Sequence, residues 1–553
     1  MNIRYLTLWA TLVGSIGCEA VTLPLSGGAL QQLPPEQIAP APAPQLRVEP
    51  ASENTSLAPA SLPLQITLRT LDIQGAKIYS ETELRAVAEF KPNTKMAIND
   101  LRWMLQKITT HYQSHGYVAA QAYLPQQDIA EGNLVIAVVE GHYGKIQVQN
   151  QTNMAGSVIA DLLDEMAIGD LVRASVLESQ LLQVAALPGV KVNSILVPGE
   201  KFGTTDLRID LVPNKRVTGT LDADNAGNVY TGAYRIGGSL FLNEPLGQGD
   251  VASIRLLTSA SGLNFFHANY QMHVGRAIVG AGYQSLEYSL GKEFQSLIAN
   301  GTAKIGNFFA NYPLQTSLAQ NMSVGLNLAN KTFQDHVTSV GSISDKAAHV
   351  LTGTYTGDFE DTVWGRSANA YTAAVTLGNI QIQSLGPRTL DIETSKSGGH
   401  FSKLSWSASR TQTLNDNWFL FGGLSGQVAS KNLDISEKME LGGMYGVRAY
   451  PEGEAYADNA VLLTLEARWR LANTLPNVQW IAFFDNGVAQ LNAKPWTSDL
   501  NRRHLQAAGL GFNWHAKHDV YVRANVAFKV GDEAAKSSKD AASRLWLQAV
   551  QSY

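Results

Sequence analysis

The chain has 553 residues, more than one ordinary globular domain holds, and its net charge of -5 gives no electrostatic case for nucleic-acid binding. Only 16% of residues are charged, below the roughly 25% of typical soluble domains, although hydrophobic residues reach just 45%. No run after the N-terminus approaches the ~18 apolar residues of a membrane helix, which excludes a helical membrane protein. A single cysteine, Cys18, excludes disulfide frameworks and cysteine-based zinc sites.

Residues 1–20 have the features of a secretory signal peptide. Arg4 is followed by an apolar run at 5–16, and Cys18 and Ala20 supply small residues for a cleavage site after position 20. Removal of this segment leaves a cysteine-free chain, which suits an oxidising compartment such as the bacterial periplasm. The alternative, a lipoprotein cleaved before Cys18, is weaker because Ser15 is a poor first residue for that signal.

Residues 21–63 are predicted to form a semi-rigid linker. Prolines recur through this segment, and at 40–44 every second residue is proline, which favours extended polyproline II. Residues 28–33 have enough helix formers for one or two helical turns, bounded by the glycines before them and by Pro34.

Residues 64–141 and 142–214 are predicted to form two small α/β domains with the same β-α-α-β-β order. Glu83 lies three residues after Ser80, a capping-box pattern that predicts a helix start. The predicted strands are 66–73, 118–124 and 134–139 in the first domain and 145–148, 190–197 and 206–211 in the second. The predicted helices start at Ser80 and Asn99 in the first domain and span 158–163 and 174–187 in the second.

From Val217 the apolar residues alternate at period two, in segments of about 10 residues or more that are typical of transmembrane β-strands. A soluble sandwich normally uses strands of about 5–6 residues and needs a second sheet to cover the apolar face. Residues 215–553 are therefore predicted to form an all-β transmembrane barrel of about 16 antiparallel strands. The predicted strands start near Val217, Tyr230, Asp250, Leu263, Arg276, Leu297, Gln320, Ala347, Ala368, Gly399, Trp418, Ala460, Val478, Gln506, Val520 and Arg544.

Short motifs stand at 116–118, 122–129 and 139–141 in the first domain, and at 224–228 and 247–250 near the start of the barrel. Through these motifs the chain resembles the two-partner secretion (TpsB) transporters, the exporters of haemolysins and haemagglutinins. The first three segments resemble the first POTRA domain of that family, and the last two resemble its first barrel hairpin. The resemblance runs from about Thr70 to residue 553. It implies that the two α/β domains are POTRA domains.

Two further motifs are more specific to this family than the segments above. Gly442, Gly443 and the run Val-Arg-Ala-Tyr-Pro at 447–451 match the sixth extracellular loop, which here spans 436–459. Ala449 stands where the family has glycine, and alanine tolerates a left-handed backbone poorly. Phe-Phe-Asp at 483–485 matches the Phe-x-Asp motif of the thirteenth barrel strand.

The resemblance places this loop inside the barrel and implies that Arg448 pairs with Asp485. The alternation of apolar residues along this strand agrees with that pairing. Trp480 and Phe484 lie on the lipid-facing side of the strand, so Phe483 and Asp485 face the lumen. The alternative is a solvated loop arginine and a separate wet lumen aspartate. The predicted loop lock consists of Val447, Arg448, Tyr450, Phe483 and Asp485, in a lumen expected to be wet.

The resemblance implies a pore that recognises a large exoprotein of adhesin or haemolysin type and exports it by two-partner (type Vb) secretion. The POTRA domains would lie in the periplasm and bind the N-terminal secretion domain of this partner. Outer-membrane lipid and, during biogenesis, the barrel-assembly machinery are the other expected partners, and nucleic acid is not. The family's N-terminal plug helix would correspond to residues 28–33.

Three other functions compete. An assembly factor for outer-membrane proteins would typically carry more POTRA domains, a passive porin would lack them, and an outer-membrane lipase would need catalytic residues that the sequence does not show. His111 and His115 have helical zinc-ligand spacing, but Tyr112 occupies the position of the zinc-protease glutamate. The sequence therefore predicts no enzyme, no cofactor and no metal site.

Overall fold

The computed structural model describes residues 24–34, 45–48, 65–129, 131–471 and 477–553. The predicted signal peptide and most of the predicted linker lie outside the described residues. Within those ranges the chain forms two small α/β domains and a closed barrel. None of the helices in the described parts is long and apolar enough to cross a bilayer.

The first α/β domain follows helix α1 (Ser26–Gln31) and strand β1 (Gln45–Val48). Its core packs Leu84, Met104, Ile108 and Leu134 between two helices and a sheet in the order β3-β6-β5. Its strands are β2 (Gln65–Leu68), β3 (Thr70–Gln74), β4 (Thr94–Ala97), β5 (Gln121–Tyr123) and β6 (Asn133–Val139). Its helices are α2 (Glu81–Val87), capped by Ser80, and α3 (Ile98–Ser114).

Two sequence expectations for this domain are wrong in detail, and one strand was missed. The predicted strand 66–73 divides at Arg69, whose amide donates to the Gly132 carbonyl, so that β2 pairs with β4 while β3 pairs with β6. Strand β4 was not predicted, because four residues directly before a helix are too few to show a period. The predicted strand 118–124 shrinks to β5.

The second α/β domain follows without a break. It contains β7 (His142–Asn150), α4 (Gly156–Leu162), α5 (Ala174–Ala185), β8 (Val190–Pro198) and β9 (Thr204–Pro213). The sheet order is β1-β8-β9-β7, so a strand from the linker segment borders this domain rather than the first one. Leu177, Leu181 and Val184 of α5 face the sheet and form the core with Leu207.

The remaining chain forms one closed barrel in which each strand pairs with its sequence neighbours and β10 pairs with β25. Closure removes free strand edges, which lipid does not tolerate. The predicted count of 16 strands is confirmed, and each predicted start lies within five residues of the observed one. The strands are β10 (Val217–Asp224), β11 (Arg235–Asn243), β12 (Val251–Thr258), β13 (Leu263–Val274), β14 (Ala277–Ser289), β15 (Ala299–Thr316), β16 (Gln320–Val337), β17 (Ser342–Asp361), β18 (Ser367–Ile382), β19 (Gly399–Thr413), β20 (Trp418–Ala429), β21 (Asn459–Arg470), β22 (Val478–Gln490), β23 (Arg502–His515), β24 (Val520–Lys529) and β25 (Ser543–Ser552). Helix α6 (Leu385–Glu393) lies in the connection between β18 and β19.

The second α/β domain touches one rim of the barrel. Arg276, in the turn between β13 and β14, pairs with Glu165, and the Leu318 amide in the turn between β15 and β16 donates to Glu178 at 2.6 Å. Since β10 also enters the barrel from this domain, these turns mark the rim on the domain side. The connection between β20 and β21 starts at the opposite rim.

Candidate functional site

The connection between β20 and β21, residues 430–458, folds back into the barrel lumen. Alternation stops after β20 and four glycines follow, of which Gly443 (φ 87°) and Gly453 (φ 86°) adopt left-handed backbone that favours glycine. Leu441, Val447 and Tyr450 then pack in one buried cluster with residues of β21, β22 and β23. The loop is thus part of the barrel interior.

Arg448 lies at the centre of this loop and binds Asp485 of β22. Its Nη2 donates to Asp485 Oδ1 at 2.7 Å, its Nε donates to Oδ2 at 2.8 Å, and its backbone amide donates to Oδ2 at 3.2 Å. Only 2% of the Arg448 surface and none of the Asp485 surface is exposed. The expectation of a wet pair is wrong, because the folded loop itself excludes water from the contact.

Two further side chains of the wall complete the contacts of Arg448. Its guanidinium lies over the Phe483 ring, 3.4 Å from the centroid, and its Nη1 donates to Glu466 Oε1 at 2.9 Å. Glu466 is directly opposite Phe483 in the β21–β22 register and also binds Arg468. Glu466 was not predicted as part of the lock, although its inward parity on β21 places a carboxylate beside the motif.

Val447 and Tyr450 hold the loop on either side of Arg448. Val447 is buried against Gly487, where an added Cβ would lie 2.9 Å from Val447 Cγ2. The Tyr450 hydroxyl donates to the Glu533 carbonyl at 2.9 Å. Ala449 is not among the residues with a left-handed backbone, so alanine in place of the family's glycine causes no strain here.

The loop has a second attachment on the other wall, made by Asp434 and Glu437. Lys346 of β17 binds Asp434 at 2.6 Å, and Glu437 binds Lys331 of β16 at 2.6 Å and Lys403 of β19 at 3.1 Å. These lysines face inward from three strands that are distant from β22 in the barrel order. No sequence motif marked them, because isolated inward lysines are ordinary in a barrel lumen.

Helix α1 lies inside the barrel between the loop and the wall. The Gln31 Nε2 donates to the Ile435 carbonyl at 2.7 Å, and the Ser26 amide donates to Asp335 of β16 at 2.9 Å. The sequence predicted a helix at 28–33 with the glycines as its boundary, but α1 begins at Ser26. Gly27 permits the close approach, since an added Cβ would lie 2.8 Å from Ser436 Cβ.

Glu140, in the third motif segment of the first domain, explains why that motif needs a carboxylate. Its Oε1 accepts from the Lys77 and Ile78 amides at 2.6 and 2.7 Å, and from the Tyr112 hydroxyl at 3.2 Å. Burial, together with the charge of Glu140, raises the pKa of Tyr112 above its ordinary value. Glu140 therefore ties the β3–α2 turn to α3.

The histidine pair of α3 is explained by local packing. The His115 Nδ1 lies 2.7 Å from the His111 carbonyl oxygen, and the His111 ring packs edge-on against Tyr79. Across the described ranges, no three His, Cys, Asp or Glu side chains come together as metal ligands.

Comparison with known families gives two matches. Residues 203–514 match the family described as "Haemolysin secretion/activation protein ShlB/FhaC/HecB", and residues 66–141 match the "POTRA domain, ShlB-type". The Heme/hemopexin transporter protein HuxB of Haemophilus influenzae (strain 86-028NP) is 25% identical over 88% of this chain and 86% of its own.

Solved structures share the fold. CdiB from Escherichia coli superposes with a TM-score of 0.68 at 18% identity, covering 92% of this chain and 94% of that one. BamA from Haemophilus ducreyi, lacking POTRA domains 1-3, gives a TM-score of 0.56 at 12% identity over 89% of this chain and all of its own. Both likenesses concern architecture, because the sequences have diverged widely.

Proposed function

The chain belongs to the haemolysin secretion/activation family, and from this membership we propose that it exports one large exoprotein by two-partner secretion. It is an outer-membrane transporter whose POTRA domains lie in the periplasm. The single observation that carries the proposal is the combination of two periplasmic POTRA domains with a barrel whose lumen is filled by the loop and α1. A filled lumen suits a pore that opens only for its substrate.

The family match favours export over the assembly-factor alternative. The family model spans more than half of the chain. HuxB is named a transporter, and its match covers 88% of this chain and 86% of its own. The likeness to BamA is one of fold, at 12% identity. The described chain also has two POTRA domains, fewer than such a factor would typically carry.

The proposed partner is an exoprotein of adhesin or haemolysin type whose secretion domain binds the POTRA domains before the chain enters the pore. We propose that lipid surrounds the outward apolar faces of the strands, such as Trp480 and Leu465, and that the barrel-assembly machinery inserts the barrel. Export of this kind needs no chemical step and no cofactor.

Within this function, Val447, Arg448, Tyr450, Phe483 and Asp485 are proposed to act as the loop lock. A guanidinium with five donors in a planar fork can bind Asp485 and Glu466 together, which fixes the loop in one place. Release of this contact would free the centre of the lumen. Glu466 joins the lock as the second carboxylate.

Deletion of residues 66–140 tests the function. We expect a stable barrel in the outer membrane and loss of export, because recognition lies on the periplasmic domains. The assay co-expresses a candidate exoprotein that carries an N-terminal secretion domain, and it measures exported partner per folded barrel. Export at the unaltered level from the deletion variant would refute the recognition role of the first POTRA domain.

A further inference from the structure

The outer wall of β16 to β19 carries a row of polar side chains that point away from the lumen. Lys331, Lys346 and Lys403 mark the inward side of their strands, because they bind the loop, and Ile380 marks that of β18, because it packs with Leu433 of the loop. Side chains alternate along a strand, so residues one or three places away from these point outward. The outward row consists of Asn330, His349, Asn379 and His400, each the register partner of the next.

This polar row lies between an apolar zone and a cation. On its periplasmic side, two residues further along the strands, lie Phe308, Leu328 and Leu377, of which at least half the surface is exposed. On its extracellular side, Lys304 of β15 points outward, since its neighbours Ala303 and Ile305 are buried. The order from apolar to polar to cationic matches that of a lipid with acyl chains in the membrane and negative charge at its surface.

A cleft of about 680 Å³ opens in this part of the wall. Gly306, the register partner of Asn330 on β15, keeps it open, because an added Cβ there would have no neighbour within 4 Å. The ring of His349 is held at its edge, with Nδ1 2.6 Å from Asn330 Oδ1. The side chains that line the cleft include Phe308, Leu328, Leu377, His349 and His400.

A second cleft, of about 730 Å³, adjoins the first on the extracellular side, beside α6, and Asn379 lines both. Three cations line this second cleft, Arg388, Lys396 and Lys431, against a single carboxylate, Asp391. That carboxylate already accepts hydrogen bonds from the turn that follows α6. The second cleft therefore presents net positive charge to the outside.

The cationic cleft is held firmly by the loop that fills the lumen. The Lys431 Nζ donates to the Gly398 carbonyl at 2.5 Å, and the Asn432 Nδ2 donates to the Ser395 carbonyl at 2.7 Å. An ammonium has three donors, so Lys431 keeps others for a ligand. The positive charges are thus in place before any ligand arrives.

We propose that the two clefts together bind one phosphorylated glycolipid of the outer leaflet, of the lipid A type. Its acyl chains lie on Phe308, Leu328 and Leu377, and its phosphates are bound by His349, His400 and the three cations beside α6. Phosphate is the anion that guanidinium, ammonium and ring N–H donors bind best. This rim of the barrel is opposite the POTRA domains, so the lipid that reaches it belongs to the outer leaflet, whose main lipid carries these phosphates.

Another outward histidine provides the matched control. The Nε2 of His504 on β23 lies 2.7 Å from the Asn486 Oδ1, the same type of contact that His349 makes with Asn330. His504 is exposed, but it lines neither cleft. An outward histidine bound to an asparagine therefore occurs both with and without the clefts, so the two positions separate a built site from ordinary contact with lipid.

Native mass spectrometry of the full chain in detergent tests the proposal, with titrated lipid A that carries both phosphates as the probe. Lipid A without phosphates and phosphatidylglycerol are titrated in parallel. We expect one lipid A to bind saturably and about tenfold or more tighter than either of the other lipids, because only the first joins two phosphates to several acyl chains.

Two variants locate the site. His349→Gln with His400→Gln should weaken lipid A binding by about tenfold, since charge-assisted contacts to phosphate are lost. Gly306→Phe should weaken it as strongly by filling the first cleft. The controls are His504→Gln and Gly353→Phe, the latter on β17 with the outward parity of His349 and also without a neighbour within 4 Å of an added Cβ. All these positions face away from the lumen, and the electrophoretic shift on heating confirms that each barrel is folded.

Equal lipid A affinity in the double histidine variant and in His504→Gln would overturn the inference. So would equal affinity in Gly306→Phe and Gly353→Phe, because the cleft would then not hold the lipid. Unsaturable binding of many copies, or binding of phosphatidylglycerol as tight as that of lipid A, would show ordinary lipid contact instead of a site. Export is not measured, so none of these outcomes affects the proposed function.

Discussion

Arg448 is the residue on which the lumen contacts converge. Its guanidinium is buried with two carboxylates and one aromatic face, and its carbonyl accepts from the Trp546 Nε1 at 2.6 Å. Burying ions is costly unless every charge is paired, and removing one partner of a buried pair typically costs about 3–5 kcal/mol. The contact therefore positions the loop more firmly than a solvated ion pair would.

We expect Arg448→Ala to lower export while the barrel still assembles, since the backbone ladder of the strands does not depend on the loop. The variant leaves Asp485 buried without its arginine partner and leaves Glu466 paired with Arg468 alone, which should release the loop centre. The measurement is the amount of exported partner per folded barrel. The amount of folded barrel is read from the shift in its electrophoretic migration on heating. Arg468→Ala is the control, because Arg468 binds Glu466 Oε2 rather than the Oε1 that Arg448 binds, lies over the Phe421 ring and is partly exposed. Unaltered export from Arg448→Ala at equal barrel levels would argue against the lock.

Reversing the charges with Arg448→Asp and Asp485→Arg should not restore export. The new carboxylate at position 448 would face Glu466, a like-charge contact in a buried site. The readout is the same export ratio, compared with each single variant. Recovery to the unaltered level would show that Glu466 does not share the contact.

At the scale of elements, the loop bridges two walls of the barrel and α1 fills the gap beside it. Asp434 and Glu437 attach the loop to β16, β17 and β19, and the same short stretch contacts α1 through Ile435 and Ser436. The position of the loop and the position of α1 are therefore coupled.

We expect Glu437→Gln to raise the ion conductance of the barrel in planar lipid bilayers. The change removes the charge that Lys331 and Lys403, both partly buried, share, so the loop end beside α1 is held less firmly. The control is Glu360→Gln, whose contact with Arg366 at the opposite rim is exposed and contributes about 0–1 kcal/mol. Conductance equal to that of the control would contradict the coupling.

Gly27→Leu should also open the pore, by expelling α1. Any side chain at this position meets the backbone of Ser436, with the added Cβ 3.0 Å from its nitrogen, and a leucine has no room to turn away. Conductance again measures the result. Gly156→Ala is the glycine control, since an added Cβ there has no neighbour within 4 Å. A closed pore in Gly27→Leu would mean that α1 tolerates the shift.

At the scale of the whole molecule, the POTRA domains and the barrel have separate hydrophobic interiors. The two domains each have their own core cluster, whereas the barrel is stabilised by its closed ladder and by lipid. Independent cores predict separate unfolding transitions, which is common in multidomain proteins.

We expect calorimetry of the detergent-solubilised chain to show a lower transition from the POTRA domains and a higher one from the barrel. Leu181→Ala, in the core of the second domain, should lower the first transition by the equivalent of about 2–5 kcal/mol and leave the second unchanged. The control is Leu424→Ala on the outward face of β20, which removes the same side-chain atoms from an exposed position. One transition that Leu181→Ala shifts as a whole would contradict independent cores.

The sequence by itself determined the architecture and the centre of the site. Period-two alternation is a local property of each strand, so strand count and parity, including the inward aspect of Phe483 and Asp485, could be predicted from it. The family resemblance then supplied Arg448 as a partner, a contact that spacing alone does not imply.

Only the tertiary structure decided what surrounds that contact. Three features of the lumen are formed by parts of the chain that are far apart in sequence. They are Glu466, the lysines that bind Asp434 and Glu437, and helix α1, whose close approach to the loop depends on Gly27. The same holds for β1, a four-residue strand whose partner lies in another domain. Short elements are too short to show a hydrophobic period, and a single charge has its partner across the lumen. Neither leaves a local signal in the sequence, because the closure of the barrel and the folding of the loop into the lumen create their environment.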